Sequence, residues 1–182
     1  VTKISPEGVR LWTRVFSSSE MDYGRDVAID SADNIYIAGS VGGSVNGVSG
    51  FGGNDIMLLK LDPDGNTLCT SLNVTAANNA AAGIFIDTAD NIYVAGSTEG
   101  ALNGQIHRGG LDAVVLQFNT AGTLQWTTQF GTSGGDSAND VVVDTSGQVF
   151  VTGYASGTLN GTTGLGGNDI FLVKLSSAGT IM

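Results

Sequence analysis

Apolar and polar residues alternate in short runs along this chain, and the runs are too short for helices. Residues 25–30 (RDVAID) alternate with a period of two, as a half-buried β-strand does. Residues 35–40 (IYIAGS) are β-branched and aromatic, and residues 55–61 (DIMLLKL) are almost continuously apolar. A fourth run covers residues 67–73. The pattern therefore predicts four successive β-strands.

The same four-strand pattern returns every 57 residues. The stretch 55–65 (DIMLLKLDPDG) is followed by DAVVLQFNTAG at 112–122 and DIFLVKLSSAG at 169–179, and a partial copy, VTKISPEG, occupies residues 1–8. Turns rich in Asp, Asn and Gly join the first strand to the second at 30–34 and the third to the fourth at 62–66. Such turns favour hairpins, so we expect an all-β fold of antiparallel β-propeller blades rather than a parallel β-solenoid.

The repeat register divides the single propeller segment 1–182 into blades. It predicts the outer two strands of a preceding blade at 1–17, blades at 24–74 and 82–131, and a partial blade at 139–182. About three blades make an incomplete ring, because closed rings take about four to eight. Both ends of the sequence cut a repeat in mid-unit. We therefore expect an excerpt of a longer protein, or a chain that other blades or further copies complete.

Each repeat resembles the SBBP repeat, a bacterial repeat of the seven-bladed β-propeller type. The positions that carry the resemblance in the third unit are Trp126, Phe130, Gly131, Asp144, Gly147, Val151, Gly153, Gly166, Gly167, Asp169, Lys174 and Gly179. The first unit keeps most of them, whereas the second has Cys69 in place of the tryptophan and Gln117 in place of the lysine. The resemblance implies a propeller fold, and it implies no catalytic residues.

The chain is acidic, with 17 Asp and Glu against 7 Lys and Arg and a net charge of −10. This charge argues against nucleic-acid binding and against docking on anionic lipid. No apolar run approaches the roughly 20 residues that cross a bilayer, so we expect no membrane insertion. A lone cysteine excludes an internal disulfide framework. We expect an extracellular or cell-surface protein, with the periplasm as the alternative.

Loop lengths are unequal, and antiparallel geometry places all the long connections on one side. This long-loop face is predicted to consist of residues 41–54, 17–24, 98–111, 74–82, 155–168 and 131–138. Loops on a rigid scaffold are where binding usually takes place, so we expect a protein or a glycan to bind here. The candidate residues on this face are Asp22, Asn46, Asp55, Asn103, His107, Asp112, Asp136, Asn160 and Asp169.

Several of these candidates also have a structural interpretation. Asp55 recurs as Asp112 and Asp169, and a residue present in every unit favours a role in fixing the loop by accepting amide hydrogen bonds. Trp12 and Trp126 are expected to pack between blades, and Cys69 is expected to fill the same slot as a buried small hydrophobe. Neither a catalytic residue nor a metal ligand is assigned.

Three hypotheses for function follow. The leading one is a non-enzymatic scaffold or binding module that acts through the long-loop face. An alternative is an enzyme with carboxylates at the mouth of the central channel, for which the candidates are Asp22, Asp26, Asp136 and Asp140. The third is a calcium-stabilised glycan-binding module. No cofactor is predicted, and calcium is the only one considered.

Overall fold

A computed structural model describes all residues 1–182 and contains thirteen β-strands with one short 3-10 turn at Leu102–Gly104. The strands are β1 (Thr2–Ile4), β2 (Arg10–Thr13), β3 (Asp22–Ile29), β4 (Ile35–Val41), β5 (Asp55–Leu61), β6 (Thr67–Asn73), β7 (Asn79–Ile86), β8 (Ile92–Thr98), β9 (Asp112–Phe118), β10 (Leu124–Phe130), β11 (Asp136–Val143), β12 (Val149–Ala155) and β13 (Asp169–Leu175). None of the helical structure is long and apolar enough to cross a membrane.

The strands form four separate antiparallel sheets in chain order. Sheet I consists of β1 and β2, sheet II of β3 to β6, sheet III of β7 to β10, and sheet IV of β11 to β13. Within each sheet, strands that follow one another in the chain are hydrogen-bonded neighbours. These sheets have the architecture of propeller blades and do not close a ring, which confirms the predicted fold class.

The core lies in three layers between successive sheets. In β8, Ile92 and Val94 face sheet II, whereas Tyr93 and Ala95 face sheet IV. The middle strands of sheets II and III are therefore buried on both faces, which explains why their sequences are almost continuously apolar. Phe130 of sheet III meets Phe171 of sheet IV edge to face at 5.5 Å between ring centroids.

Most short turns are fixed by an aspartate or asparagine at their first position, and Ser5 and Ser176 take that position in the other two. The Asp30 carboxylate accepts the backbone N–H groups of Ala32 and Asn34 and the Asn34 side-chain amide. Burial alone would raise the pKa of Asp30, but these hydrogen bonds, with one from the Tyr36 hydroxyl, outweigh it and lower the pKa. Asp62, Asp87, Asn119 and Asp144 cap the equivalent turns in the same way.

Two expectations about local structure were wrong. The innermost strands begin at Asp22, Asn79 and Asp136, so residues assigned to the long loops are paired with the second strand of each sheet. The pairing reaches this far because each inner strand has a β-bulge, between Gly24 and Asp26 in sheet II, that restores the register. Cys69 is half-buried rather than buried, with its sulfur close to Gly122.

Candidate functional site

The long-loop face contains the connections that follow the second and fourth strands of each sheet. Two of the three longest loops contain a small hairpin of their own, and the third contains the 3-10 turn at Leu102–Gly104. Val45 and Val48 exchange both backbone hydrogen bonds around Asn46 and Gly47, which have φ angles of 51° and 79°. Leu159 and Thr162 do the same around Asn160 and Gly161. Asn-Gly is the dipeptide that such a turn favours, and the buried Val45 and Leu159 anchor the hairpins to the core.

Two of the three candidate asparagines are used inside the scaffold. Asn46 donates its amide to the Thr70 hydroxyl at 3.0 Å, and Asn103 donates to the Thr127 hydroxyl at 2.9 Å. Both bonds join the loop to the outer strand of the same sheet. Asn160 is exposed at the equivalent turn. Asn46 therefore attaches its hairpin, and Asn103 its 3-10 turn, to the edge strand of the sheet.

Asp55 and Asp112, at the start of the third strands, accept hydrogen bonds from the backbone of the long loops. Oδ2 of Asp55 accepts the backbone N–H of Phe51 at 2.9 Å, and Oδ2 of Asp112 accepts that of Arg108 at the same distance. Both aspartates are completely buried, and Asp169, at the start of β13, is half-buried. Burial raises the pKa of Asp55, and hydrogen bonds from the Phe51 and Thr75 backbone and the Asn79 side chain act in the opposite direction.

A second set of carboxylates begins the innermost strands. Asp22 accepts the N–H and the hydroxyl of Ser18, and Asp136 accepts both donors of Thr132. In sheet III the equivalent position is Asn79. Ser18 and Thr132 lie on the segments that come from the preceding sheet, and Asp22 and Asp136 begin the innermost strand of the next sheet. Their hydrogen bonds therefore fix the connection between successive sheets.

The two sets meet at the junctions between sheets. At the junction of sheets III and IV, the position that a Cβ atom of Gly131 would occupy lies 2.6 Å from Oδ1 of Asp112 and 2.8 Å from Oδ2 of Asp136. At the junction of sheets II and III, Asp55 instead lies beside the neutral Asn79, whose amide donates to the carbonyl oxygens of Asn54 and Ala77. The structure thus brings Asp112 and Asp136 together, which the sequence did not predict.

The remaining carboxylates of the enzyme hypothesis have structural hydrogen bonds. Oδ2 of Asp26 accepts the N–H of Ile84 in the neighbouring sheet at 3.0 Å, and Oδ1 of Asp140 accepts the N–H of Val141 at 2.8 Å. His107 is half-buried on its loop, with its Nε2 3.2 Å from the carbonyl oxygen of Gly110. The structure contains no cluster of three or more His, Cys, Asp or Glu side chains suited to a metal ion.

The exposed apolar side chains of this face were not among the predicted site residues. Phe51 is 62% exposed, Ile106 is 70% exposed and Leu165 is fully exposed, all on long loops. A signal was present, because Phe51, Arg108 and Leu165 occupy the same position in three successive units and their side chains differ. Packing does not constrain such exposed loop positions, and binding residues are often found on loops of this kind.

A match to a protein family agrees with the fold. The SBBP family, described as a β-propeller repeat, matches residues 11–43 and 125–159. An uncharacterized WD repeat-containing protein of Acanthamoeba polyphaga mimivirus is 25% identical over an alignment that covers 85% of this chain and 14% of the viral protein. A protein of unknown function from Bacteroides caccae is 12% identical, with a TM-score of 0.38 over 98% of this chain and 72% of the other.

Proposed function

We propose that this chain, which carries β-propeller repeats of the SBBP family, is a non-enzymatic binding module of a secreted or cell-surface bacterial protein. It binds a protein or a glycan through the long-loop face. The net charge of −10 suits an exported scaffold that avoids nucleic acid. The chain spans only 14% of the length of the viral relative, so this proposal concerns the repeats and not a larger protein.

Exposed apolar side chains on the long loops support the proposal. Phe51 and Ile106 are exposed on loops whose backbone donates a hydrogen bond to a buried aspartate, and Leu165 is exposed on the equivalent loop of sheet IV, which the buried Leu159 anchors. An exposed apolar side chain on a stiff support loses little conformational entropy when it is covered, which favours binding. The carboxylates considered for catalysis are instead engaged in hydrogen bonds with backbone N–H groups.

The test compares two triple variants in a glycan array and in pull-downs from the surface of the source bacterium. The first is F51S/I106S/L165S on the long-loop face. The matched control is V9S/I29S/L68S, which removes apolar side chains that are also more than half exposed but lie elsewhere. We expect ligands of the unaltered chain to be lost only with the first variant. Equal retention by both variants, or no ligand at all, contradicts the proposal.

We further propose that additional blades, from the same protein or from another copy, cover the outer face of sheet IV. Ile170 and Leu172 are 91% and 73% exposed there. Their equivalents in sheet II, Ile56 and Leu58, are completely buried against sheet III. Sedimentation velocity of the 182-residue chain at increasing concentration tests this, because an uncovered face should cause association that I170S/L172S abolishes. A monomer at all concentrations argues against association of copies.

A further inference from the structure

Two buried carboxylates at the junction of sheets III and IV lack the compensation that such groups usually have. Asp112 and Asp136 are both completely buried. Oδ2 of Asp112 accepts hydrogen bonds from the Arg108 N–H and the Gln129 amide, but Oδ1 has no partner. This unpartnered oxygen lies near Oδ2 of Asp136, since both approach the same point beside Gly131. A buried acceptor without a partner is costly, and a second carboxylate next to it adds repulsion.

No basic side chain neutralises this pair. The one salt bridge in the structure joins Lys60 and Asp30 at 3.5 Å, and it lies at the short-turn end of sheet II, away from this pair. The Arg108 guanidinium, on the nearest loop, donates to the carbonyl oxygens of Ile106 and Gln129. Asp136 receives only the neutral donors Thr132 and Ser156. The junction therefore holds two carboxylates and no partner of opposite charge.

The preceding junction provides an internal comparison. There Asp55 begins the third strand, and its Oδ1 is likewise buried without a partner. The residue equivalent to Asp136, however, is Asn79, and the residue equivalent to Gly131 is Val74. The III/IV junction therefore differs from it by an added negative charge, and by a glycine where the two carboxylates approach too closely to leave room for a side chain. The added negative charge favours a bound cation.

We propose that Asp112 and Asp136 hold a hard divalent cation, of the Ca²⁺ class, between sheets III and IV. Carboxylate oxygens are the ligands that such ions prefer, and a charge of +2 balances the pair. The Thr132 hydroxyl, which contacts Asp136 at 3.0 Å, is a further oxygen beside the pair. The cation would fasten sheet III to sheet IV just below the long-loop face. This inference does not depend on what that face binds.

The experiment is thermal unfolding of the 182-residue chain after removal of metals, in EDTA, in Ca²⁺ and in Mg²⁺. We expect the Tm to rise by roughly 5–10 °C at a cation concentration about 100 times Kd. Calorimetric titration should give one site per chain. An identical Tm in EDTA, Ca²⁺ and Mg²⁺ overturns the proposal.

Three variants locate the site. Asp136→Asn restores the pair found at the preceding junction, so it should fold and should lose the Tm rise. Asp140→Asn removes an exposed carboxylate from the same strand and should keep it. The double change N79D/V74G copies the III/IV junction onto the II/III junction and should raise the stoichiometry to two. A Tm rise that persists in Asp136→Asn places the cation elsewhere and overturns the assignment.

Discussion

The indole N–H of Trp126 donates to the backbone carbonyl oxygen of Ser177 at 3.1 Å, across the boundary between sheet III and sheet IV. Trp12 makes the same bond to Pro63 across the boundary between sheets I and II, and each bond spans 51 residues. The Trp126 ring lies against Gly179, where an added Cβ atom would come within 2.7 Å of it. The tryptophans therefore pack between blades, as predicted. Each joins the outermost strand of its sheet to a turn of the next sheet.

Trp126→Ala should destabilise the chain by about 2 kcal/mol. A fully buried tryptophan costs about 3–5 kcal/mol when truncated, and the value is reduced here because Trp126 is half-buried. The loss includes its contact with Tyr93, whose ring centroid lies 6.1 Å away, and its hydrogen bond to Ser177. Urea unfolding measures the change. Gln125→Ala, at an exposed neighbouring position, should change the free energy of unfolding by no more than about 0.5 kcal/mol. A similar loss of stability in both variants would contradict the role of Trp126 in packing between blades.

Gly47→Ala should cost about 1 kcal/mol through backbone strain alone. Gly47 has a φ of 79°, and an added Cβ atom meets nothing within 4 Å, so no clash contributes. The control is Gly135→Ala, where the added atom also meets open space but φ is in the ordinary range. Urea unfolding should therefore show a lower midpoint for Gly47→Ala than for Gly135→Ala, by the amount that corresponds to the backbone strain. If both variants are equally stable, the Asn-Gly hairpin is not held in its left-handed conformation.

Asp30→Asn should destabilise the chain at neutral pH and have little effect in acid. The folded-state pKa of Asp30 is lowered below its ordinary value of 3.8, so its carboxylate contributes stability above that pH. This contribution is lost as the pH falls through the folded-state pKa, because the carboxylate must then accept a proton. The difference between the two proteins should be about 1 kcal/mol at pH 7 and should narrow below pH 3.8.

Asp64→Asn serves as the control for this pH dependence. Asp64 lies on an exposed turn, and its carboxylate accepts no hydrogen bond in the structure. Its substitution should give the same stability as the unaltered chain from pH 7 downwards. A pH-independent difference for Asp30→Asn would mean that shape, and not charge, determines the contribution of this side chain.

Asp26→Ala should loosen sheet II from sheet III. Oδ2 of Asp26 accepts the Ile84 N–H, a backbone group left free by the bulge in β7. Removing the acceptor should cost about 1–2 kcal/mol and should increase hydrogen exchange at the Ile84 amide. Val27→Ala, at an exposed position on the same strand, should leave that amide protected. Unchanged exchange in Asp26→Ala would show that the bond adds nothing to the junction.

Repetition made most of the fold predictable from the sequence. The strands Asp55–Leu61 and Thr67–Asn73 have the predicted bounds, because tight turns and a two-sided core leave few alternatives for such segments. The start of β3 at Asp22 was missed, since polar and glycine residues there pair only through a bulge. The approach of Asp112 to Asp136 was also missed. It depends on how two sheets pack, and periodicity within one unit contains no information about that.

The turn that receives the Trp12 indole also receives Lys3 and Arg14, and all three side chains bind main-chain carbonyl oxygens. Lys60 and Trp126 reach the equivalent turns of the next sheets in the same way. The neighbour is thus recognised by its backbone, which is why PDG, TAG and SAG serve equally well at this turn. Because the contacts are made to the backbone, the side chains of this turn can diverge between repeats without loss of the fit to the neighbouring unit. The same property allows one repeat to be duplicated or to replace another at this contact.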